Sequence, residues 1–374
     1  MTRINHTTGR RHLLAGAAAL MATPALAQTR PIVVASKIDT EGGLLGQMIV
    51  LLLEANGLRV ENRVPLGPTP FVVGFEWHIP LSWEHTPRSF NMLMDALVSD
   101  RCRGIVAASQ AAATITEHRH VNDPRRDALM RKMTVRLPNV DIPDMDDWFD
   151  PSRGIETLRL VFVGDQFGAK GGCAAVKLAE KARASGVPLH ITIVSSLQSN
   201  HIDPKRAEFL APYHKLIDQP NITHVQAMEH DKVLDLVAKA HLTFMPTLSD
   251  CYSAIGMEGM ARFTPMITTA TGAFPEFIDE TSGVLLKVET TCQGEWRHSE
   301  HFIDRATPAY EQLFADTVDR LADQALAVCT TLINDPVKLG GLRAGARRMA
   351  QEKLSAEDAA RFWDDFYVAA LDRG

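Results

Sequence analysis

Short apolar segments alternate with helical patterns between residues 158 and 287, and this alternation limits the possible folds more than any other feature of the chain. Apolar strands that alternate with helices form a parallel sheet whose two faces are both covered. The sequence therefore predicts an α/β fold built on a doubly wound parallel sheet. The predicted strands are residues 158–163, 189–195, 221–226, 242–246, 265–269 and 284–287, and the predicted helices are residues 171–185, 230–240 and 255–262.

The loops after the predicted strands are where a ligand should bind. In an open parallel sheet, ligands lie at the carboxyl ends of the strands. The loops in question are residues 164–172, 195–199, 247–256 and 271–276.

Composition excludes several classes of protein. The 374 residues include 39 Lys and Arg and 45 Asp and Glu, which gives a formal net charge of −6. A mildly acidic chain has no general field for holding phosphate backbones, so we expect no nucleic-acid partner. The five cysteines are odd in number and lack C-x-x-C spacing. Neither a disulfide framework nor a zinc ribbon fits that pattern.

Residues 1–27 have the three regions of an export signal. A polar start contains Arg10 and Arg11, an apolar Ala/Leu run follows, and Ala-Leu-Ala ending at Ala27 supplies a cleavage site. The apolar run is too short to cross a hydrocarbon core, so we expect no transmembrane segment. The paired arginines resemble a twin-arginine signal. A functional signal predicts a periplasmic protein beginning at Gln28, and otherwise the protein is cytoplasmic.

Residues 31–70 differ from the rest of the chain. A predicted strand at 31–38, an apolar helix at 44–55 and a second strand at 58–64 form one βαβ-sized unit. The segment VASKIDTEGGLLGQMIVLLLEANGLRVENRVPLGPTP, residues 34–70, resembles the N-terminus of periplasmic substrate-binding proteins for glycine betaine and related osmoprotectants. The resemblance implies recognition of a quaternary ammonium group by aromatic side chains. The second lobe of such proteins has no recognisable counterpart.

The loops of the C-terminal half carry a second, longer resemblance. Gly164 is followed by Lys170-Gly171-Gly172, Asp250 lies eight residues before Glu258, and a Gly-Ala-Phe-Pro-Glu run ends at Glu276. In this order and spacing the motifs resemble those of GT-B-fold retaining glycosyltransferases of the glycogen-synthase-like group called family 4. Asp250 stands where the E-x7-E motif of that group has its first glutamate. The resemblance extends roughly over residues 72–374.

This second resemblance implies an enzyme that transfers a sugar from a nucleotide-diphospho-sugar to an acceptor, without a cofactor or an obligatory metal. Lys170 would stabilise the leaving diphosphate. Glu258 would accept hydrogen bonds from the ribose hydroxyls, because a carboxylate offers two acceptor oxygens. The implied catalytic residues are Asp250 and Lys170, and the implied donor-binding residues are Gly164, Lys170, Gly171, Gly172, Ser253, Ala254, Ile255, Glu258 and Glu276.

The resemblance also implies a helix N-terminus, a sugar pocket and an altered phosphate contact at the donor site. The amides from Tyr252 to Gly256, which include those of Ser253, Ala254 and Ile255, are expected to open a helix whose N-terminus faces the diphosphate. Glu276 and the turn before it are expected to shape the sugar pocket. Asp165 stands where many members of the family have a second basic residue, which indicates a weaker or differently arranged hold on the phosphates.

The predicted domains follow the two resemblances. An N-terminal α/β region of residues 30–150 combines the binding-protein-like part, 30–70, with a partial glycosyltransferase domain, 71–150, which is truncated or hybrid because such a domain normally needs about 150 residues. Residues 141–150 are acidic and flanked by prolines, so we expect a solvated linker. The remaining predicted domains are a nucleotide-sugar-binding Rossmann-like domain, 155–305, and C-terminal helices, 306–374.

The sequence leaves two other functions open. The chain could be a periplasmic binding protein for quaternary ammonium osmoprotectants, as a component of an ABC transporter, or an inactive hybrid of that protein and a transferase. For the transferase the expected partners are the nucleotide-sugar donor and an unidentified acceptor. Contact with a membrane surface is left open.

Overall fold

The computed structural model describes residues 32–33, 60–61, 70–80, 86–199, 202–206, 208–299 and 303–372. The predicted export signal and the predicted helix at 44–55 lie outside these residues. The chain divides into two compact units. The first unit comprises Met1–Ala108, Thr116–Arg136 and Glu357–Gly374, and the second comprises Ser109–Ile115 and Leu137–Ala356.

The first unit contains two separate parallel sheets within its described residues. Strands β1 (Ile32–Val33) and β2 (Val60–Glu61) pair only with each other, in parallel. Strands β3 (Phe71–Phe75), β4 (Cys102–Ala107) and β5 (Met133–Val135) form a second sheet in that order. Within the residues that the structure describes, the segment that resembles a binding protein therefore adds no strand to the β3-β4-β5 sheet.

The helices of the first unit have clear sequence causes. Helix α1 (Pro87–Val98) begins with a capping box between Thr86 and Ser89 and has proline in its first turn. Its buried residues, such as Met94 and Leu97, pack against Ile105 of β4 in a small core. Helices α2 (Gln110–Arg119) and α3 (Arg126–Met130) follow β4.

The sheet of the second unit is parallel throughout and doubly wound. Its order is β11-β10-β9-β6-β7-β8, so the chain moves outward in one direction from β6 and returns to the other side of β6 at β9. The predicted doubly wound α/β fold is thereby confirmed. The strands are β6 (Leu158–Val163), β7 (Leu189–Val194), β8 (Ile222–Val225), β9 (Leu242–Met245), β10 (Met266–Thr269) and β11 (Gly283–Leu286).

Helices cover both faces of this sheet, as a continuous apolar strand requires. Along β6, Leu160 and Phe162 belong to the main core, whereas Val161 belongs to a second cluster with Val233 and Val237 on the opposite face. The helices of the second unit are α4 (Gly172–Ala184), α5 (Ala211–Lys215), α6 (His230–Ala238), α7 (Ala254–Met260), α8 (Phe274–Phe277), α9 (Pro308–Asn334) and α10 (Pro336–Lys353).

The last helix, α11 (Ala356–Asp372), belongs almost entirely to the first unit. Phe362 and Phe366 stack on each other with ring centroids 5.8 Å apart. The Phe366 ring lies so close to β4 that a Cβ at Gly104 would come within 2.5 Å of it. Glycine at position 104 is therefore what allows this helix to pack on the sheet of the first unit.

The segment 141–150 is not the solvated linker that its composition predicts. It belongs to the second unit, where Asp147 forms two-point hydrogen bonds with the guanidinium of Arg343, a side chain with no exposed surface. Trp148 donates a hydrogen bond to the Ala238 carbonyl at 2.6 Å. Phe149 is buried in the main core. One buried arginine and two aromatic rings therefore hold the segment against the unit.

Candidate functional site

The carboxyl ends of β6 and β9 form the point where the strand order reverses. The chain leaves β6 through residues 164–171 into α4, and leaves β9 through residues 246–253 into α7. β6 and β9 are neighbours whose connections run in opposite directions, and at such a point a doubly wound sheet is expected to form a ligand-binding crevice. This is the expected position of a ligand in a doubly wound sheet, and two of the predicted ligand-binding loops border it.

The two predicted catalytic residues meet at this point. Lys170 Nζ lies 2.5 Å from Asp250 Oδ2, and the two side chains are 25% and 11% exposed. Hydrogen bonds join their loops. The Leu248 amide and the Thr247 hydroxyl both donate to the Ala169 carbonyl, at 2.8 and 3.0 Å. In this state the ammonium group of the site is already paired with a carboxylate.

The glycines of the first loop allow it to pack closely against its surroundings. Gly171 has a φ of +95°, and a Cβ there would lie 2.5 Å from the Pro246 carbonyl oxygen. A Cβ at Gly172 would lie 2.2 Å from the Phe167 ring, and one at Gly164 would lie 3.2 Å from Lys170 Cβ. The glycine pattern that predicted close approach to a phosphate thus also has a packing cause.

Asp165 joins the first loop to the loop after β7. Its Oδ1 accepts hydrogen bonds from the Ser196 amide, at 2.9 Å, and from the Ser196 hydroxyl, at 2.7 Å. These bonds hold the pKa of the Asp165 carboxyl below its usual value. The Phe167 amide adds a bond to the Gln198 carbonyl at 2.8 Å. Asp165 therefore has a defined structural partner, Ser196, on the loop after β7.

Glu258 lies on α7 and faces a residue that the sequence patterns did not indicate. His230 Nε2 lies 3.1 Å from Glu258 Oε1, and the two side chains are 64% and 20% exposed. Burial raises the pKa of the Glu258 carboxyl, while His230 and Arg262 oppose that shift. Glu258, the residue predicted to bind the ribose, is thus a partly buried carboxylate, and His230 is its defined hydrogen-bond donor.

The start of α7 is capped from within. Ser253 is buried, and its hydroxyl accepts a hydrogen bond from the Gly256 amide at 3.2 Å. The Gly256 amide is therefore used inside the helix, and the predicted contact of the other amides with a diphosphate stays a prediction. Ala254 is exposed and Ile255 is half-buried in the turn that follows the cap.

Glu276 binds the start of α2. Its two carboxylate oxygens accept hydrogen bonds from the Gln110 and Ala111 amides, both at 2.8 Å. Its carbonyl oxygen accepts from Lys353 Nζ at 2.5 Å. Because residues 109–115 belong to the second unit, these contacts lie within that unit. Glu276 therefore caps the first turn of α2, and its predicted place in the sugar pocket stays a prediction.

Among the described residues, no group of three or more His, Cys, Asp or Glu side chains is arranged to hold a metal ion. Of the helices in the same part of the chain, none combines the length and apolarity needed to span a membrane.

Several solved structures have a similar fold. A glycosyltransferase from Rickettsia africae ESF-5 has a TM-score of 0.55 at 13% identity, over 100% of this chain and 85% of that one. Anabaena Alr3699/HepE, crystallised with UDP, has a TM-score of 0.56 at 13% identity, over 90% and 79% of the two chains. Sucrose-phosphate synthase from Thermosynechococcus elongatus gives 0.53 at 13% identity, over 88% and 72%. At these identities the likeness shows the fold, an α/β architecture of the GT-B type.

Comparison by sequence gives a different and much shorter relationship. No protein-family model matches the chain. The glycine betaine-binding protein YehZ of Escherichia coli (strain K12) is 54% identical over 44 residues. That match covers 12% of this chain and 14% of YehZ, so the chain shares only a small part of that protein's length.

Proposed function

We propose that this protein is a retaining glycosyltransferase that takes a sugar from a nucleotide-diphospho-sugar and transfers it to an acceptor. The observation that carries the proposal is the meeting of Lys170 and Asp250 at the switch point between β6 and β9. A crevice at such a point binds nucleotides in many doubly wound sheets. The GT-B-type fold supports a glycosyltransferase over other nucleotide-binding enzymes.

The proposed roles follow from the charges that develop during the reaction. When the bond between the sugar and the diphosphate breaks, negative charge increases on the leaving phosphate oxygen. Lys170 stabilises that charge, which lowers the barrier because the interaction is strongest in the transition state. Asp250 holds the Lys170 ammonium in place and contacts the transferred sugar. Gly164, Gly171 and Gly172 allow the loop to lie close to the diphosphate.

The nucleoside end of the donor is assigned to α7. The Glu258 carboxylate accepts hydrogen bonds from the ribose hydroxyls. The start of the same helix, at Ser253, Ala254 and Ile255, lies nearer the phosphates. Complexes of Anabaena HepE with UDP and with UDP-glucose make uridine donors the first to test. The proposed reaction needs no metal, so turnover should persist in excess EDTA, and its loss there would contradict this part of the proposal.

Release of nucleoside diphosphate from a panel of sugar donors tests the proposal. Lys177→Ala is a matched control for Lys170→Ala, because Lys177 has a similar side-chain exposure, 27%, and is paired with Glu180 on the surface of α4. We expect release with the wild type and Lys177→Ala and a large loss with Lys170→Ala. Equal release by both variants would contradict the assignment.

Binding of a quaternary ammonium osmolyte is the second candidate, favoured by the 44-residue match to YehZ. Calorimetry with glycine betaine, beside calorimetry with nucleoside diphosphates, separates the two proposals. The transferase proposal predicts heat from a nucleotide and none from glycine betaine. An inactive hybrid would give neither turnover nor binding of either ligand.

Location is a proposal that depends on the first residues of the chain. We propose export, with a mature N-terminus at Gln28, although nucleotide sugars are made in the cytoplasm and an exported transferase would be separated from them. Cell fractionation with N-terminal sequencing tests this. A periplasmic chain that starts at Gln28 supports export, and an intact Met1 in the cytosol refutes it.

A further inference from the structure

His230 is placed at the candidate site by the fold rather than by any recognised motif. It is the first residue of α6, and Glu229 before it occupies the N-cap position without a side-chain cap bond. Its imidazole is 64% exposed, yet Nε2 lies 3.1 Å from Glu258 Oε1. An exposed histidine on one helix is thus paired with the partly buried carboxylate proposed to bind ribose on the next.

The packing of α6 against α7 sets this distance. Val233 and Val237 of α6 share an apolar cluster with Ile255 of α7. A Cβ at Gly259 would lie 3.1 Å from Val237 Cγ1, so the helices approach closely where Gly259 has no side chain. The Thr264 hydroxyl also donates to the Val237 carbonyl at 2.9 Å. The pairing of His230 with Glu258 therefore rests on a fixed helix contact.

The chemistry of the two groups defines the direction of the hydrogen bond. An ionised carboxylate only accepts hydrogen bonds, so Nε2 of His230 carries the proton and donates it. Burial disfavours the charged form of Glu258, and the nearby imidazole and the Arg262 guanidinium favour it. A hydrogen bond from the imidazole N–H therefore favours the ionised form of the carboxylate and holds Oε1 in one orientation.

We propose that His230 is a positioning residue for nucleotide recognition, which holds the Glu258 carboxylate in the orientation that accepts hydrogen bonds from the ribose hydroxyls. The inference rests on the proposed function, since it requires a nucleotide at Glu258. Oε1 has two lone pairs, so it can accept from His230 and from one hydroxyl together. Because His230 touches neither the breaking nor the forming bond, it acts on donor affinity and KM and leaves kcat nearly unchanged.

Calorimetry with UDP, ADP and GDP identifies the nucleotide that binds most tightly, and the variants are then compared on it. His230→Ala should weaken its binding by about three- to tenfold, the range of one hydrogen bond to a partly exposed charged group. His230→Gln, whose amide can donate to the same oxygen, should restore most of the affinity. Lys232→Ala is the matched control, because Lys232 lies on the same helix with 67% exposure and pairs with Glu229.

The 2′,3′-dideoxy form of the same nucleotide isolates the ribose contact. Without hydroxyls it gives Glu258 nothing to accept, so His230→Ala should change its affinity by less than about twofold. The double variant with Glu258→Ala should bind the normal nucleotide no more weakly than Glu258→Ala alone. A merely structural effect of His230 would weaken both nucleotides equally and would add to the loss from Glu258→Ala.

Different results would overturn the role of His230 and the proposed glycosyltransferase function. Equal nucleotide affinity in the wild type and His230→Ala, equal losses for the normal and dideoxy nucleotides, or no rescue by His230→Gln would overturn the role of His230 and leave the donor site intact. A wild-type chain that binds none of the three nucleotides would overturn the proposed function and, with it, this inference.

Discussion

The Lys170 ammonium lies 2.5 Å from the Asp250 carboxylate, and the two residues come from loops on opposite sides of the point where the strand order reverses. Neither side chain is fully exposed. A diphosphate that binds at this crevice must therefore share or displace the carboxylate on Lys170. This pairing makes Asp250 a determinant of anion affinity as well as a proposed contact of the transferred sugar.

Asp250→Asn should separate these two roles. Removal of the carboxylate charge leaves the Lys170 ammonium available, so nucleoside diphosphate should bind about three- to tenfold more tightly. Sugar transfer should nevertheless become slower, because Lys170 is no longer held in place. Calorimetry and turnover on the same preparation measure both effects. Glu180→Gln, which removes the partner of Lys177, is the control and should change neither. Weaker nucleotide binding by Asp250→Asn would contradict the competition between the two anions.

The stability of the second unit should decrease in mild acid because of His241. This ring is buried, and its Nδ1 accepts a hydrogen bond from the Arg159 amide at 2.9 Å. Burial, together with Arg159 and Arg343, lowers the pKa of His241 to about 3. A lowered folded-state pKa means that the stabilisation is present above the unfolded pKa, about 6.5, and is lost as pH falls towards 3.

Urea unfolding at pH 7.0 and pH 5.5 measures this loss. His241→Asn keeps an acceptor for the Arg159 amide and removes the titration. The wild type should lose about 1 kcal/mol more than this variant between the two pH values, because the unfolded chain takes up a proton that the folded chain refuses. His118→Gln, at an exposed position, should behave as the wild type. Equal pH dependence in wild type and His241→Asn would show that the ring is not held neutral.

Arg343 should be a major determinant of the stability of the second unit. It is fully buried, donates to both oxygens of Asp147, and lies 4.8 Å from the centroid of the Trp148 ring. Arg343→Ala removes the guanidinium donors from the Asp147 carboxylate and from the Ala240 and His241 carbonyls, so we expect a loss of about 3–5 kcal/mol in the free energy of unfolding.

Arg348→Ala provides the comparison for Arg343→Ala. Arg348 lies on the same helix and is exposed, with one long hydrogen bond of 3.3 Å to the Thr281 hydroxyl. Its removal should change the free energy of unfolding by less than about 0.5 kcal/mol. Similar losses from both substitutions in denaturant titrations would contradict the account of residues 141–150 as an anchored segment.

The strands of the second unit could be predicted well from sequence, and their physical cause is plain. The apolar run 158–163 coincides with β6, because a strand buried on both faces allows almost no polar residue. The position of the site followed from the same pattern, since the ends of parallel strands meet at one edge. Lys170 and Asp250 lie there because each follows a strand adjacent to the switch point.

The pairings between side chains could not be predicted in the same way. Asp147 and Arg343 are 196 residues apart, and Glu276 and Gln110 are 166 residues apart, so no local pattern connects them. Composition alone made residues 141–150 look solvated, because an acidic segment carries no sign of the one buried arginine that binds it. His230 was missed for the same reason, since its partner lies on another helix.

Donor turnover by the wild type, Glu258→Ala and Lys170→Ala is the most direct test of the central claim that these residues form a nucleotide-sugar site. Loss of a charged acceptor for the ribose hydroxyls should lower kcat/KM of Glu258→Ala by about ten- to a hundredfold. Lys170→Ala should lower mainly kcat, because the charge it stabilises develops in the transition state. Donor turnover that is unchanged in both variants would contradict the account.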